Sequence, residues 1–348
     1  MANIYARSPY IIRIAQPTQL GSKLTIFLSS TTFTPLPQYT LSKLIPSPTN
    51  VNTLYDISPY IREYIRFNLC AAGGNAAVTN PTNERVNVQL KLYEYDGTVY
   101  TQVGATQTHI AFDGYTYYEE LYNKDLGNYG LDAGNYYYNP TSDAGKIRVT
   151  GGASFTAKYT SFDLIPAITS LAVSNSTFDI PRVRTANVLV GNKVEILNAA
   201  SVVQATWNFY PQDECKYTPV IIDFVNRYGA WQREFFFKAS TDNFNIESTE
   251  YNLLQTSQFP STFYSGLEGQ RKTFNTNGKK SVKVNTGWVK ETWKEVLKQI
   301  MLSERILIDN KPAKINTKST ELFKQINTKQ INYSLEFEFA YDVINSVI

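Results

Sequence analysis

Residues 217–226 (YTPVIIDFVN), 227–230 (RYGA) and 231–238 (WQREFFFK) decide the fold class. A β-branched run, a short link holding Gly229 and an aromatic run read as two strands joined by a tight turn. Such side chains facing each other across a hairpin make strong cross-strand pairs. The same signal recurs on both sides. Residues 86–95 alternate, with Val86, Val88, Leu90 and Leu92 against Asn87, Gln89 and Lys91, which predicts a half-buried strand. Asp96-Gly97 then supplies a hairpin turn, with return strands expected over 98–103 and 106–112. Residues 331–341 alternate throughout, with Ile331, Tyr333, Leu335, Phe337, Phe339 and Tyr341 on one face.

Weaker signals fill in the rest. Residues 10–14 and 23–28 read as paired strands around a turn at Pro17 and Gly21. Ser58 followed by Pro59 predicts a short helix capped by Ser58, with Ile61, Tyr64 and Ile65 on its inner face. Gly191-Asn192 predicts a hairpin between 186–190 and 193–197, and 202–210 a further strand. Asn277-Gly278 predicts another hairpin, between 271–276 and 279–284. Residues 288–302 read as the one longer helix, with Val289, Trp293, Val296, Leu297 and Ile300 in one stripe. Residues 305–309 and 313–317 flank a Pro-containing turn. No period of 20–50 residues is present.

Composition agrees with this pattern. The 348 residues include 35 Thr, 29 Asn and 25 Tyr, and 18% are charged. Thr and Tyr suit strands and Asn suits turns, so a β-rich protein with many turns is expected, and a coiled coil or disordered chain is excluded. The expected class is mainly β: multidomain, with antiparallel β-sandwich-like units and a C-terminal α+β unit. The expected domains are residues 1–165, 166–265 and 266–348. The first carries a Tyr-rich insertion over about 113–160.

Two surfaces stand out. Eleven tyrosines fall between Tyr93 and Tyr138. Tyrosine offers large, rigid, amphipathic area at low entropic cost, so Tyr115, Tyr117, Tyr118, Tyr122, Tyr136, Tyr137 and Tyr138 are the candidate subunit interface. An ordinary Tyr-rich sheet face is the competing reading. Residues 266–330 hold 14 Lys+Arg against 6 Asp+Glu, a local +8 in a chain of net +3. Lys279, Lys280, Lys283, Lys290, Lys294 and Lys298 form the candidate basic face, for passing DNA or an acidic neighbour. Solvated strand and helix faces are the plainer explanation.

Chemistry finds little support. His109 is the single histidine, and Cys70 and Cys215 lie far apart with no CxxC. No HExxH, GxSxG, P-loop, dinucleotide fingerprint or calcium loop occurs. No cofactor or metal is expected. Carboxylate-only glycoside hydrolysis survives, with Glu119, Glu120, Asp213, Glu214 and Asp223 as the acids within reach of that idea. A non-enzymatic protein is the expectation. No leader peptide is expected, because Arg7 and Arg13 interrupt the N-terminal apolar residues, and no membrane span, because the longest uncharged stretch, near Leu164–Phe178, is too short and too polar.

Several of these segments also resemble those of structural proteins from tailed phages that infect Bacteroidetes. They are 57–65 (ISPYIREYI), 216–231 (KYTPVIIDFVNRYGAW) with 234–238 (EFFFK), 302–308 (LSERILI) and 332–341 (NYSLEFEFAY). The chain is similar to crAss-like phage virion proteins that build rings in the short tail barrel. That resemblance implies a structural virion component, made in the host bacterial cytoplasm and residing in the tail. It implies head-to-tail assembly into a ring around the DNA channel, twelvefold or sixfold, beside other tail or portal ring proteins. A receptor- or glycan-binding tail protein is the alternative, and a glycan depolymerase a more distant one.

Overall fold

The computed structural model describes residues 3–45, 51–66, 84–132, 134–150, 155–173, 177–213, 216–252, 271–319 and 330–344. Strand makes up 54% and helix 9%, so the protein is mainly β. Among the described residues, no helix is long and apolar enough to cross a membrane. The chain forms two compact units. Unit 1 comprises residues 1–213 and 223–235; unit 2 comprises 214–222 and 236–348.

Unit 1 begins with β1 (Asn3–Tyr5), β2 (Ile11–Ala15), β3 (Gly21–Ser29), β4 (Tyr39–Leu44), β5 (Asn52–Asp56) and α1 (Ser58–Tyr64). Next come β6 (Arg85–Tyr95) and β7 (Tyr100–Phe112). Its first sheet has the order β1-β7-β6-β3-β4. In β6 the expected alternation holds: Val86, Val88, Leu90 and Leu92 are buried. The two expected return strands are one. Leu90 pairs with Gln107 and Leu92 with Val103, so the residues between, including Gly104 at φ 70°, form a bulge.

The expected pairing of 10–14 with 23–28 does not form. β2 pairs with β5, Ile12 facing Tyr55, while β3 lies between β4 and β6. β3 is buried along almost its whole length, a central position that a two-stranded hairpin cannot offer. The β2–β5 pair and α1 instead contribute Ile12, Ile14, Tyr55, Ile57 and Ile61 to one core with Leu24, Ile26, Leu28 and Leu90. In α1 the buried stripe is Ile57, Ile61 and Ile65, and Tyr64 is exposed, contrary to the expected face. Ser58 is not the cap. Its hydroxyl donates to the Ser8 carbonyl at 2.6 Å and accepts from the Tyr10 N–H at 2.7 Å, tying the helix to β2.

The remainder of unit 1 holds β8 (Gly134–Tyr138), β9 (Lys146–Thr150), β10 (Phe155–Ser161), β11 (Ile168–Val173), β12 (Thr177–Pro181), β13 (Asn192–Leu197) and β14 (Val203–Pro211). A five-stranded sheet runs β11-β10-β13-β14-β8, and β12 pairs with β9. Strands on either side of residue 165 therefore share one sheet, with Lys158 facing Glu195 and Tyr136 facing Phe209. Residues 186–190 are not a strand. Thr185–Asn187 form a single 3-10 turn, and Asn192 is buried, its amide donating to the Arg182 carbonyl at 3.0 Å. Gly191 enters β13 at φ 82°, where a Cβ would lie 2.4 Å from the Phe209 carbonyl oxygen.

The opening hairpin is present as β15 (Val220–Val225) and β16 (Trp231–Phe236), neighbours in one sheet. Its turn closes by the Asn226 N–H donating to the Ala230 carbonyl at 2.9 Å.

Unit 2 contains β17 (Thr241–Asn252), β18 (Arg271–Asn285), β19 (Val289–Lys290), α2 (Lys294–Leu302), β20 (Ile306–Ile308), β21 (Lys311–Ile315), β22 (Gln330–Ile331) and β23 (Ser334–Phe339). Consecutive neighbours in its sheet are β20-β21-β23-β18-β17. The expected Asn277-Gly278 hairpin is absent, because β18 runs straight through both residues and pairs with β17 over twelve positions. Gly278 lies under the Phe244 ring, where a Cβ would meet ring carbons at 2.4 Å. Asn277 Oδ1 accepts the Ile344 N–H at 3.0 Å. Long-range pairing and a ring seated on the glycine override the local turn signal.

The helical stripe is as read, with Val296, Leu297 and Ile300 buried. The helix starts at Lys294, after β19 and a 3-10 turn over Glu291–Trp293, and Trp288 is exposed. Trp293 packs against Phe236 and Tyr333, at centroid distances of 6.0 and 6.2 Å. The β20–β21 turn uses Asp309 and Asn310, both at positive φ, and Pro312 sits within β21 opposite Leu307. The 331–341 run is divided between β22 and β23, yet Ile331, Tyr333, Leu335 and Phe337 are buried as the alternation required.

Candidate interaction surface

The seven candidate interface tyrosines do not form one surface. Tyr115, Tyr136 and Tyr138 are buried inside unit 1. Tyr136 stacks on Phe209 at 5.6 Å and donates to the Asp132 carbonyl at 2.9 Å. Tyr138 donates to the Val188 carbonyl at 2.7 Å, and burial pushes its pKa up to about 12. The Tyr115 ring lies 4.8 Å from the Arg7 guanidinium, and Tyr117 lies 4.6 Å from that of Arg227. Tyr137 is half-buried beside Tyr210. Only Tyr118 and Tyr122 are openly exposed, together with Leu121. The area of the buried three is spent within the chain: Tyr136 and Tyr138 lie on β8, which pairs with β14, and Tyr115 packs beside Arg7.

The basic face is partly neutralised on its own surface. Lys279 pairs with Glu247 at 2.9 Å, Lys294 with Glu291 at 3.1 Å and Lys298 with Glu295 at 3.0 Å. Lys280, Lys283 and Lys290 are exposed. Lys280 lies on the β18 face that also carries Val282 and Val284, while Lys279 and Lys283 lie on the other.

The acids raised for glycoside hydrolysis divide similarly. Asp223 is buried and accepts two bonds from Arg233, both 2.8 Å. Glu120 accepts from Arg227 at 2.6 and 2.7 Å. Burial raises the Glu120 pKa, but the Arg227 pair and the Tyr117 N–H outweigh it and leave it below the usual value. Glu119 and Asp213 are exposed. Glu214, like Cys70 and Cys215, lies outside the described residues.

Asp223 belongs to a buried charge network that no local sequence signal reveals. Arg148 bonds Glu84, Asp179 at 3.0 Å and the Gly229 carbonyl at 2.7 Å. Burial disfavours its charge, but Asp179 and Glu84 overcome this and drive its pKa up. Arg182 donates to the Arg233 carbonyl at 2.6 Å and faces Glu234. Three arginines thus fasten the 223–235 segment within unit 1.

The β17–β18 ribbon is the opposite. All twelve residues of β17 are exposed, and among the described residues β17 ends its sheet, with β18 as its one neighbour. At about 3.4 Å per residue the ribbon is about 40 Å long. Phe244 and Ile246 share one of its faces, and Phe274 beside the β18 irregularity is also exposed. The strand carries Asp242, Glu247 and Glu250 and no base. Among the described residues, a second open edge is β11 in unit 1, paired only with β10 and free of charged side chains. Exposed Leu164, Ile165 and Ile168 lie before and within it. An alternation signal around Phe244 and Ile246 was available in the sequence, but the strongest local motif nearby, Asn277-Gly278, pointed elsewhere.

Compared with known protein families and with curated proteins, the chain matches none.

Proposed function

We propose that the protein is a non-enzymatic structural component of a phage virion, a ring protein of the tail barrel or collar that assembles head-to-tail. The resemblance of the four segments supports the virion reading. The carrying observation is the β17 edge: twelve exposed strand residues, with Phe244 and Ile246 side by side on one face and, among the described residues, no strand beyond β17. Monomeric proteins protect such edges, because an open edge recruits another strand. The occupant is a second copy of this chain. With Glu247 already paired to Lys279, Asp242 and Glu250 remain on a strand without a base and make β17 a poor partner for itself across a two-fold axis, since like charges are brought to a shared edge. The uncharged edge of β11 carries no such penalty. Two different patches joining copy to copy are what a closed ring requires.

The test is mass photometry with negative-stain imaging of the wild-type protein and of the double variant Phe244→Asp/Ile246→Asp. Closed rings of one size are expected for wild type, and folded monomers for the variant. Rings formed equally by the variant would remove the ribbon from the interface. A wild-type protein that stays monomeric at micromolar concentration would overturn self-assembly. The exposed Tyr118, Leu121 and Tyr122 favour glycan binding as the second reading, because sugars stack on open aromatic rings. A glycan array probed with Tyr118→Ala and Tyr122→Ala decides it.

A further inference from the structure

A groove of about 470 Å3 opens on unit 1 where the ends of β3 and α1 meet the beginnings of β4 and β6. It is lined by Ser30, Tyr39, Glu63, Tyr64, Arg66 and Arg85. Arg85 is half-buried, and its Nε is shut off from solvent with no hydrogen-bond partner. No described residue forms an ion pair with Arg85 or Arg66. Burial opposes the Arg85 charge first, and the nearby Arg148 opposes it further, so its pKa is driven down. The one carboxylate in the groove, Glu63, already accepts the Tyr39 hydroxyl at 3.2 Å. A guanidinium partly withdrawn from water without a counter-charge is costly, and a bound anion removes that cost.

We propose that this groove binds a phosphate monoester, with Arg85 and Arg66 holding the phosphate. Two guanidinium forks and the Ser30 hydroxyl offer more donors than the two oxygens of a carboxylate accept, whereas a phosphate presents three acceptor oxygens and about two charges. Arginine forks match that geometry better than lysine, and the groove contains no lysine. Tyr39 and Tyr64 supply flat walls for the organic body. The proposal is independent of ring assembly, and a strictly monomeric protein would bind equally well.

Isothermal titration calorimetry of the full chain with orthophosphate, adenosine monophosphate and acetate tests it. One saturable site per chain is expected for orthophosphate, with acetate at least tenfold weaker. Adenosine monophosphate binding tighter than orthophosphate would mean that the groove also reads the organic body; equal binding would mean that it reads the phosphate alone. R85Q is expected to weaken binding at least tenfold and R66Q several-fold, while K280Q, on the other unit, leaves it unchanged. Arg66 is exposed, so R66Q keeps the fold if R85Q does not. Absence of saturable binding, acetate equal to phosphate, or unchanged affinity in R66Q would each overturn the proposal.

Discussion

The 223–235 segment and the β17–β18 ribbon use the same kinds of residues in opposite surroundings. In the first, Arg233, Asp223 and Glu234 are buried and meet Arg182 and Asp143 in a closed network. In the second, Lys279 and Glu247 pair at 2.9 Å in the open. Desolvation separates them. An exposed pair is screened by water and contributes little. A buried pair is costly to assemble but far more costly to leave half-made. The network in unit 1 therefore specifies one arrangement of the segment, whereas the ribbon keeps its form by backbone pairing and leaves its side chains available.

Arg148→Ala tests that contrast with the largest expected effect. It strands Glu84 and Asp179 in a dry site, and a loss of about 3–5 kcal/mol in unfolding free energy is expected by urea titration. A loss under about 1 kcal/mol would mean that the site is wet and that the two regions differ less than their burial implies.

Acid provides an intermediate effect. The Glu120 pKa is held below its ordinary 4.5 by Arg227, so the unfolded chain binds its proton more readily than the folded one. The stability contributed by this pair is present above about pH 4.5 and is lost as the pH falls through the folded value. Melting temperatures measured from pH 6 to pH 3 should fall, and Glu120→Gln should flatten part of that fall. Glu247→Gln in the ribbon should leave the profile unchanged. An equal flattening by both variants would erase the distinction.

The smallest effect is expected from Phe244→Ser. The side chain is largely exposed, so monomer stability should change by no more than about 0.5 kcal/mol. A loss of about 2 kcal/mol would show that the ring on Gly278 fixes the ribbon, and Phe244 would then serve the chain's own fold rather than a partner.

What was readable in the sequence was local. The alternation of β6, the β15–β16 hairpin and the α2 stripe each depend on neighbours within about a dozen residues, and each is present. The failures share a cause. Asn277-Gly278 is a turn motif only where no distant strand competes, and β17 competes over its full length. The pairing of β2 with β5 joins residues about 40 positions apart, and no local pattern encodes that choice. Burial was equally unreadable for the tyrosines. Tyr118 and Tyr138 occur in similar runs, yet one is open to solvent and the other closed. Composition identified a surface-forming residue type, but the β8–β14 pairing encloses Tyr138, whereas Tyr118 begins a 3-10 turn outside any sheet.

The path of the chain also imposes an order in time. Unit 1 is completed only by residues 223–235, which follow the nine residues 214–222 assigned to unit 2. Arg182 leaves the ribosome 51 residues before the Arg233 carbonyl that receives it, and Asp143 leaves 90 residues before Arg233. At about 5–20 residues per second, those charges wait from a few seconds to almost twenty for their partners. Unit 1 therefore cannot be completed before synthesis has passed the chain's midpoint. A nascent chain halted before residue 223 would present an incomplete unit 1, with the Arg182 guanidinium and the Asp143 carbonyl still without Arg233.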